Sequence, residues 1–336
     1  MKYSFRNDYG NIGHPQVLQV LLDNANKNHV GYGFDEVSIK LENRVREILD
    51  EDVNVYPVVG GTMANLVTIS KALKPYEAVI AIESGHINVH ETGAIEGTGH
   101  GIITVKGCNG KVTVDDILNV MNNYLDCHMV KPGLVYISNS TEIGTIYYKE
   151  ELKSLYEACH KYGLYLFLDG ARLPIALTTT ESDMTLKDIC KYTDAFYLGG
   201  AKNGLPVGEM LVVKNKDINE NFKYHIKNRG AMVNKGFFLA YMFLEYLKDD
   251  LYLKLAKNSN DMAKYLKDEL IKKGVEVVYL NPTNQIFVRL ENSIINSLND
   301  KYDFEMWERG KDKSVIRLVT SWNTTKESCE ELIKDI

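Results

Sequence analysis

The sequence predicts an α/β protein: a mostly parallel sheet covered on both faces by helices, followed by a smaller α+β unit. Two observations predict this. Short apolar runs alternate with stretches of helical periodicity up to about residue 230. The run 164–168 is apolar throughout, as befits a strand buried on both faces. The chain has 336 residues, 45% of them hydrophobic and 25% charged, which allows two units with substantial cores. The expected organisation is an arm over 1–13, a large unit over 14–235 and a small C-terminal unit over 236–336.

Composition excludes some roles. The net charge of −6 gives no basic footprint for nucleic acid. Cys108, Cys127, Cys159, Cys190 and Cys329 are scattered, odd in number and form no Cys-x-x-Cys pair, as in a reduced compartment. The start is polar and no apolar run reaches membrane-spanning length, so a cytoplasmic protein without a membrane partner is expected.

In chain order, residues 3–13 read as an extended arm. A first helix opens at His14 and Pro15, where the missing N–H of proline costs little. Asp35 can cap a second helix that buries Val37, Leu41, Val45, Ile48 and Leu49. A strand at 53–59 runs through Gly60, Gly61 and Thr62 straight into a helix from Met63 to Leu73. Such a turn offers free N–H groups and a positive dipole end to an anion. It is not a Walker loop, because no Gly-Lys followed by Ser or Thr occurs; a plain tight turn explains it equally well.

The strand 77–83 ends near His86 and His90. Their spacing invites a metal, but Ile87 stands where the zinc-protease pattern needs Glu, so no metal is expected. An imidazole stacked on a flat ligand is the functional reading of His86; a loop histidine hydrogen-bonded to its neighbours is the bland one. The glycines at 97, 99 and 101 precede a strand and open no helix, contrary to the dinucleotide fingerprint. Strands near 102–106 and 133–138 and helices near 114–127 and 149–162 follow, the last ended by Gly163. Glu142 lies in the loop after Ser138, either facing a cleft or solvated.

The apolar run 164–168 delivers Asp169 and, three residues on, Arg172. A carboxylate at such a strand tip needs a charged partner, either Arg172 or a cationic ligand. The run 194–199 delivers Lys202 in a turn with Gly199, Gly200, Gly204 and Gly208. A lysine there is either solvated or desolvated enough to lose its proton and attack a carbonyl. Beyond it, a strand at 208–213, helices at 215–227, 237–249, 251–274 and 324–334, and strands at 275–279, 284–290 and 315–320 are expected.

Gly61 and Thr62, His86, Asp169 with Arg172, and Lys202 all fall at strand ends, where open α/β sheets bind ligands. An anion cradle, a flat stacking group, a buried carboxylate and an imine-forming amine match the parts of pyridoxal 5′-phosphate: its phosphate, ring, ring nitrogen and aldehyde.

At these residues the chain resembles the threonine aldolase and β-eliminating lyase group of fold-type I pyridoxal-phosphate enzymes. The anchors are Tyr32, Gly33 and Asp35; Gly61, Thr62 and Asn65; Glu83 and His86; Glu91, Gly93 and Ala94; Asp169 to Arg172; Gly200 to Gly204; and Arg317 to Thr320. The resemblance implies that Lys202 bonds the cofactor, Asp169 pairs with the ring nitrogen, His86 stacks, and Gly61 and Thr62 hold the phosphate. Arg172 and Arg317 would bind the substrate carboxylate, as guanidinium forks do. It further implies a homodimer or homotetramer in which Tyr32 and Lys235 reach the neighbouring site. Two positions depart from the group. Glu142 stands where its aldolases carry a histidine proposed to take the β-hydroxyl proton. Val233 stands where a phosphate-binding arginine is expected, leaving Lys235 as its substitute. The activity implied is cleavage of L-threonine or L-allo-threonine to glycine and acetaldehyde, with Lys202, Asp169, His86 and Glu142 catalytic. A β-eliminating lyase or aminotransferase acting on another amino acid, a nicotinamide-dependent oxidoreductase, and a non-catalytic relative are the alternatives.

Overall fold

The computed structural model describes residues 2–336. Seven strands form the large sheet, in the spatial order Asn54–Val58, Glu209–Val213, Ala195–Gly199, Tyr165–Asp169, Lys131–Ser138, Glu77–Ile82, Ile102–Val105. All pairings are parallel except those of Glu209–Val213, which runs against both its neighbours. This strand follows the Lys202 turn closely, so the chain can only fold back beside the strand it has just left.

Side chains alternate across the sheet. Ile80, Val135, Leu166 and Phe196 point into one core, while Val79, Leu134, Phe167 and Tyr197 point into the other. Each successive residue is therefore buried on the opposite face, which explains the unbroken apolar runs. The helix Gly236–Leu247 packs on the helices Pro15–Asp23 and Glu36–Leu49 and contributes Leu239, Phe243 and Tyr246 to the first core, although it lies beyond the boundary expected at 235.

The C-terminal unit is a four-stranded antiparallel sheet with Lys313–Val319 and Gln285–Glu291 at its centre, flanked by Glu305–Glu308 and Glu276–Val277. The helices Leu251–Lys272 and Lys326–Asp335 cover it. The start of the chain packs against this unit. Tyr3–Ser4 pairs in parallel with Tyr302–Asp303, and Phe5 is fully buried in the small core.

Most expected elements recur within a few residues. Asp35 accepts the Ser38 N–H, capping its helix as expected. The stretch read as one helix over 215–227 is two, Lys216–Asn219 and Phe222–Asn228, because Asn221 adopts a left-handed conformation with φ 55° between them. The strand Glu305–Glu308 and the helix Asn292–Leu298 have no expected counterpart: both are short, and the strand carries a charge at each end. Among the described residues no helix is long and apolar enough to cross a membrane.

Candidate active site

The tips of the central strands open into a cleft of about 250 Å³. Its lining includes Gly61, Thr62, His86, Glu142, Asp169, Arg172 and Lys202, together with Tyr9 and Glu209. Two glycines bring the tips together. A Cβ on Gly170 would lie 1.7 Å from the Tyr197 carbonyl oxygen, and one on Gly199 would lie 2.2 Å from that of Ala171. Only bare backbone permits this approach, and it is sealed by the Gly199 N–H donating to the Gly170 carbonyl at 2.9 Å. Asp169 and Lys202 thus enter the cleft from adjacent strand ends.

Asp169 is buried and accepts four hydrogen bonds. Tyr136 Oη (2.5 Å) and Asn65 Nδ2 (3.1 Å) donate to one oxygen; Tyr197 Oη and the Ala171 N–H donate to the other. Burial alone would raise its pKa. His86 and the hydroxyl and amide donors outweigh that, holding the carboxyl below the ordinary aspartate value. Both tyrosines are driven well above their usual range, first by burial and then by the Asp169 charge, so they remain donors. The partner that burial demands is therefore not Arg172, which the sequence offers: the guanidinium turns away to Asp8 of the arm, with Nε at 2.7 Å and Nη2 at 3.0 Å.

Lys202 sits in a single turn, Ala201–Asn203. The turn is anchored by Asn203 Nδ2, which donates to Tyr246 Oη and the Tyr252 carbonyl, while Tyr246 Oη donates to the Gly199 carbonyl. Among the described residues its amine has no hydrogen-bond or ion-pair partner. Burial, reinforced by the charge of Arg172, pushes its pKa down; Asp8, Asp169 and Glu209 oppose this. The lysine is therefore of the desolvated kind, and its amine gives up a proton more readily than a solvated lysine does.

The helix Gly61–Ala72 begins directly at the cleft with Gly60 as its cap residue and no side-chain cap, leaving its first N–H groups open to an anion. His86 Nδ1 lies 2.8 Å from the buried Glu91, which also accepts from Asn65 Nδ2 at 2.7 Å. Asn65 bridges Glu91 and Asp169, so the imidazole and the strand-tip carboxylate share one network. Glu142 accepts from Ser138 Oγ (2.8 Å) and the His86 N–H (3.1 Å). Burial raises its pKa above the ordinary glutamate value, so it is a stronger base than its type suggests.

Arg317 is half-buried beside, not within, the lining of this cleft. It donates to Gln285 Oε1 at 3.0 Å and to Glu305, and its guanidinium stacks 5.6 Å from the Trp307 ring. Tyr32 and Lys235 do not line the cleft of their own chain. Tyr32 is exposed with φ 63° and with the Lys227 ammonium 4.2 Å from its ring centre, and Lys235 precedes the helix Gly236–Leu247.

Asp8, Tyr136, Tyr197 and Glu209 join the site without having been expected there, and Asn65 and Glu91, expected only as family anchors, prove to be parts of its hydrogen-bond network. Tyr136 and Tyr197 carried a signal: each is a polar-tipped ring two residues from the end of an otherwise apolar strand, where a buried hydroxyl needs a partner. Glu209 opens an apolar strand, and burial pushes its carboxyl up to about 8; one oxygen accepts the Gly200 N–H at 2.8 Å.

The beta-eliminating lyase family model matches residues 6–293. The chain belongs to that family. It is 31% identical to the low specificity L-threonine aldolase of Pseudomonas aeruginosa, over 93% of this chain and 91% of the relative. A Leishmania major threonine aldolase structure superposes with a TM-score of 0.97 at 42% identity, covering 99% of this chain and 98% of that one. A histidinol-phosphate aminotransferase from Clostridium acetobutylicum shares the fold, with a TM-score of 0.75 at 16% identity over 99% of this chain and 97% of that one. The architecture of this family member is that of the fold-type I pyridoxal-phosphate enzymes, and the family places it among carbon–carbon lyases.

Proposed function

We propose that the chain is a pyridoxal-phosphate-dependent aldolase that cleaves L-threonine or L-allo-threonine to glycine and acetaldehyde. The observation that carries this reading is the unpartnered, desolvated amine of Lys202 in the same cleft as a carboxylate, Asp169, which His86 and four hydrogen-bond donors hold below the ordinary aspartate value. The residues fit the cofactor: an amine free to bond an aldehyde, a carboxylate for a ring nitrogen, an imidazole for a ring face, and uncapped helix N–H groups for a phosphate. When bound, pyridoxal phosphate supplies an electron sink that weakens the bonds to the substrate α-carbon.

The chain's own groups divide the remaining work. Asp169 would hold a proton on the ring nitrogen, since its own donors already favour the carboxylate form. The N–H groups of Gly61 and Thr62 would hold the phosphate. Arg172, whose Nη1 makes no hydrogen bond, would bind the substrate carboxylate, with Arg317 nearby. Glu142, bonded to the His86 backbone, would take the β-hydroxyl proton with His86 alongside; its raised pKa suits it to that task.

Exposed Val30, Tyr32, Phe34 and Ile39 beside the Tyr32 turn support a homodimer or homotetramer, in which Tyr32 and Lys235 would reach a neighbouring cleft. The test is an assay of both threonine diastereomers that follows acetaldehyde. Acetaldehyde and glycine in equal amounts are expected. Pyruvate or another keto acid without acetaldehyde would replace the aldolase by an eliminating lyase or aminotransferase.

A further inference from the structure

Arg172 is the sequence neighbour of the strand-tip carboxylate, yet nothing in its own loop fixes its guanidinium. That is done by Asp8, 164 positions earlier, through a two-pronged contact to Nε and Nη2. The Asp8 side chain is fully buried, and its carboxylate also accepts Asn284 Nδ2 at 2.9 Å. Asn284 is tied in turn to the Thr320 carbonyl at 2.8 Å. The arm that carries Asp8 is pinned to the small unit: the Phe5 N–H donates to the Asp303 carbonyl, and the Val319 N–H donates to the Phe5 carbonyl at 2.7 Å. Tyr9, the next residue after Asp8, lines the cleft itself.

A two-pronged contact fixes the plane of a guanidinium as well as its position. Two of its nitrogens are engaged by Asp8, and Nη1 alone is unbonded on a residue that lines the cleft. We propose that Asp8 is a positioning residue for substrate recognition: the arm sets the plane of Arg172 so that Nη1 meets the substrate carboxylate. The position of the small unit is thereby transmitted to a residue just beyond the tip of a central strand of the large sheet. This rests on the reading that Arg172 binds the carboxylate, and the experiment separates the two claims.

Glycine and glycinamide differ only in the carboxylate, and neither has a β-carbon to cleave. Their dissociation constants are measured on the cofactor-loaded protein from the change in cofactor absorbance, for wild type, R172Q, D8A and D8N. Wild type should prefer glycine, and R172Q should abolish that preference. D8A should reduce it by roughly 10- to 100-fold, with glycinamide binding unchanged. D8N keeps one acceptor oxygen and should lose part of the preference, which keeps the test decisive if D8A proves unstable. If R172Q retains the preference, the carboxylate reading fails. If R172Q loses it while D8A and D8N keep it, the reading stands and the role given to Asp8 is overturned. Equal weakening of glycine and glycinamide in the Asp8 variants also overturns it, because general loosening of the arm would not distinguish the two ligands.

Discussion

Asp169 receives its four hydrogen bonds from the large sheet and the segments around it, whereas Arg172 and Arg317 are held by groups from the arm and the small unit. The first set is built on strands whose side chains alternate between two packed cores, so its geometry is rigid before any ligand arrives. The second set joins parts of the chain that meet only when the small unit and the arm are in place. The contrast assigns different work to the two halves. On the proposed function, the sheet half would handle electrons and protons at the reacting centre, and the arginine half would recognise the amino acid.

The largest expected effects break the sheet half. Lys202→Ala and Asp169→Ala should each lower kcat by several powers of ten, one removing the nucleophile and the other the counter-charge of the ring nitrogen. An Asp169→Ala enzyme with near-normal kcat would dissolve the distinction between the halves. Next, Tyr136→Phe removes one donor to Asp169, and Tyr197→Phe another. Each should lower kcat/KM by roughly 10- to 100-fold, expressed in kcat, with the cofactor still bound. A change confined to KM would move these tyrosines to the recognition half.

The arginine half should respond in the opposite parameter. Arg317→Gln should raise KM for the amino acid about tenfold while kcat changes little. A fall in kcat of that size at constant KM would show Arg317 acting at the reacting centre.

The same division decides how much was legible beforehand. Lys202, Asp169, His86 and the Gly61–Thr62 turn are marked by neighbours in sequence: each functional group stands at or just past the end of an apolar run, next to small residues. Their convergence follows from the α/β pattern alone. Asp8 on Arg172 and Glu305 on Arg317 depend on tertiary placement of the arm and of a short strand that no pattern announces. Glu142 was visible as a departure from the aldolase pattern, but the burial that raises its pKa needs the fold. The two-part helix at 216–228 failed for a local reason, the left-handed Asn221, which helical periodicity does not register.

The smallest effect sharpens the sheet half through stability. In the folded protein burial keeps Glu209 protonated up to about pH 8, whereas in the unfolded chain it ionises near its ordinary 4.5. Between those values the folded state binds the extra proton, so its contribution to stability falls as pH rises. Glu209→Gln retains an acceptor for the Gly200 N–H without the ionisation. The cofactor-free variant should therefore lose less Tm than wild type between about pH 5 and about pH 8. Parallel Tm profiles would place Glu209 outside the buried electrostatics of the cleft.

The most direct test is borohydride reduction of the purified enzyme followed by peptide mass spectrometry. A stable pyridoxyl group is expected on Lys202 and on no other lysine, lost in Lys202→Ala. An enzyme that cleaves threonine yet carries no such group, or carries it on a different lysine, would contradict that assignment.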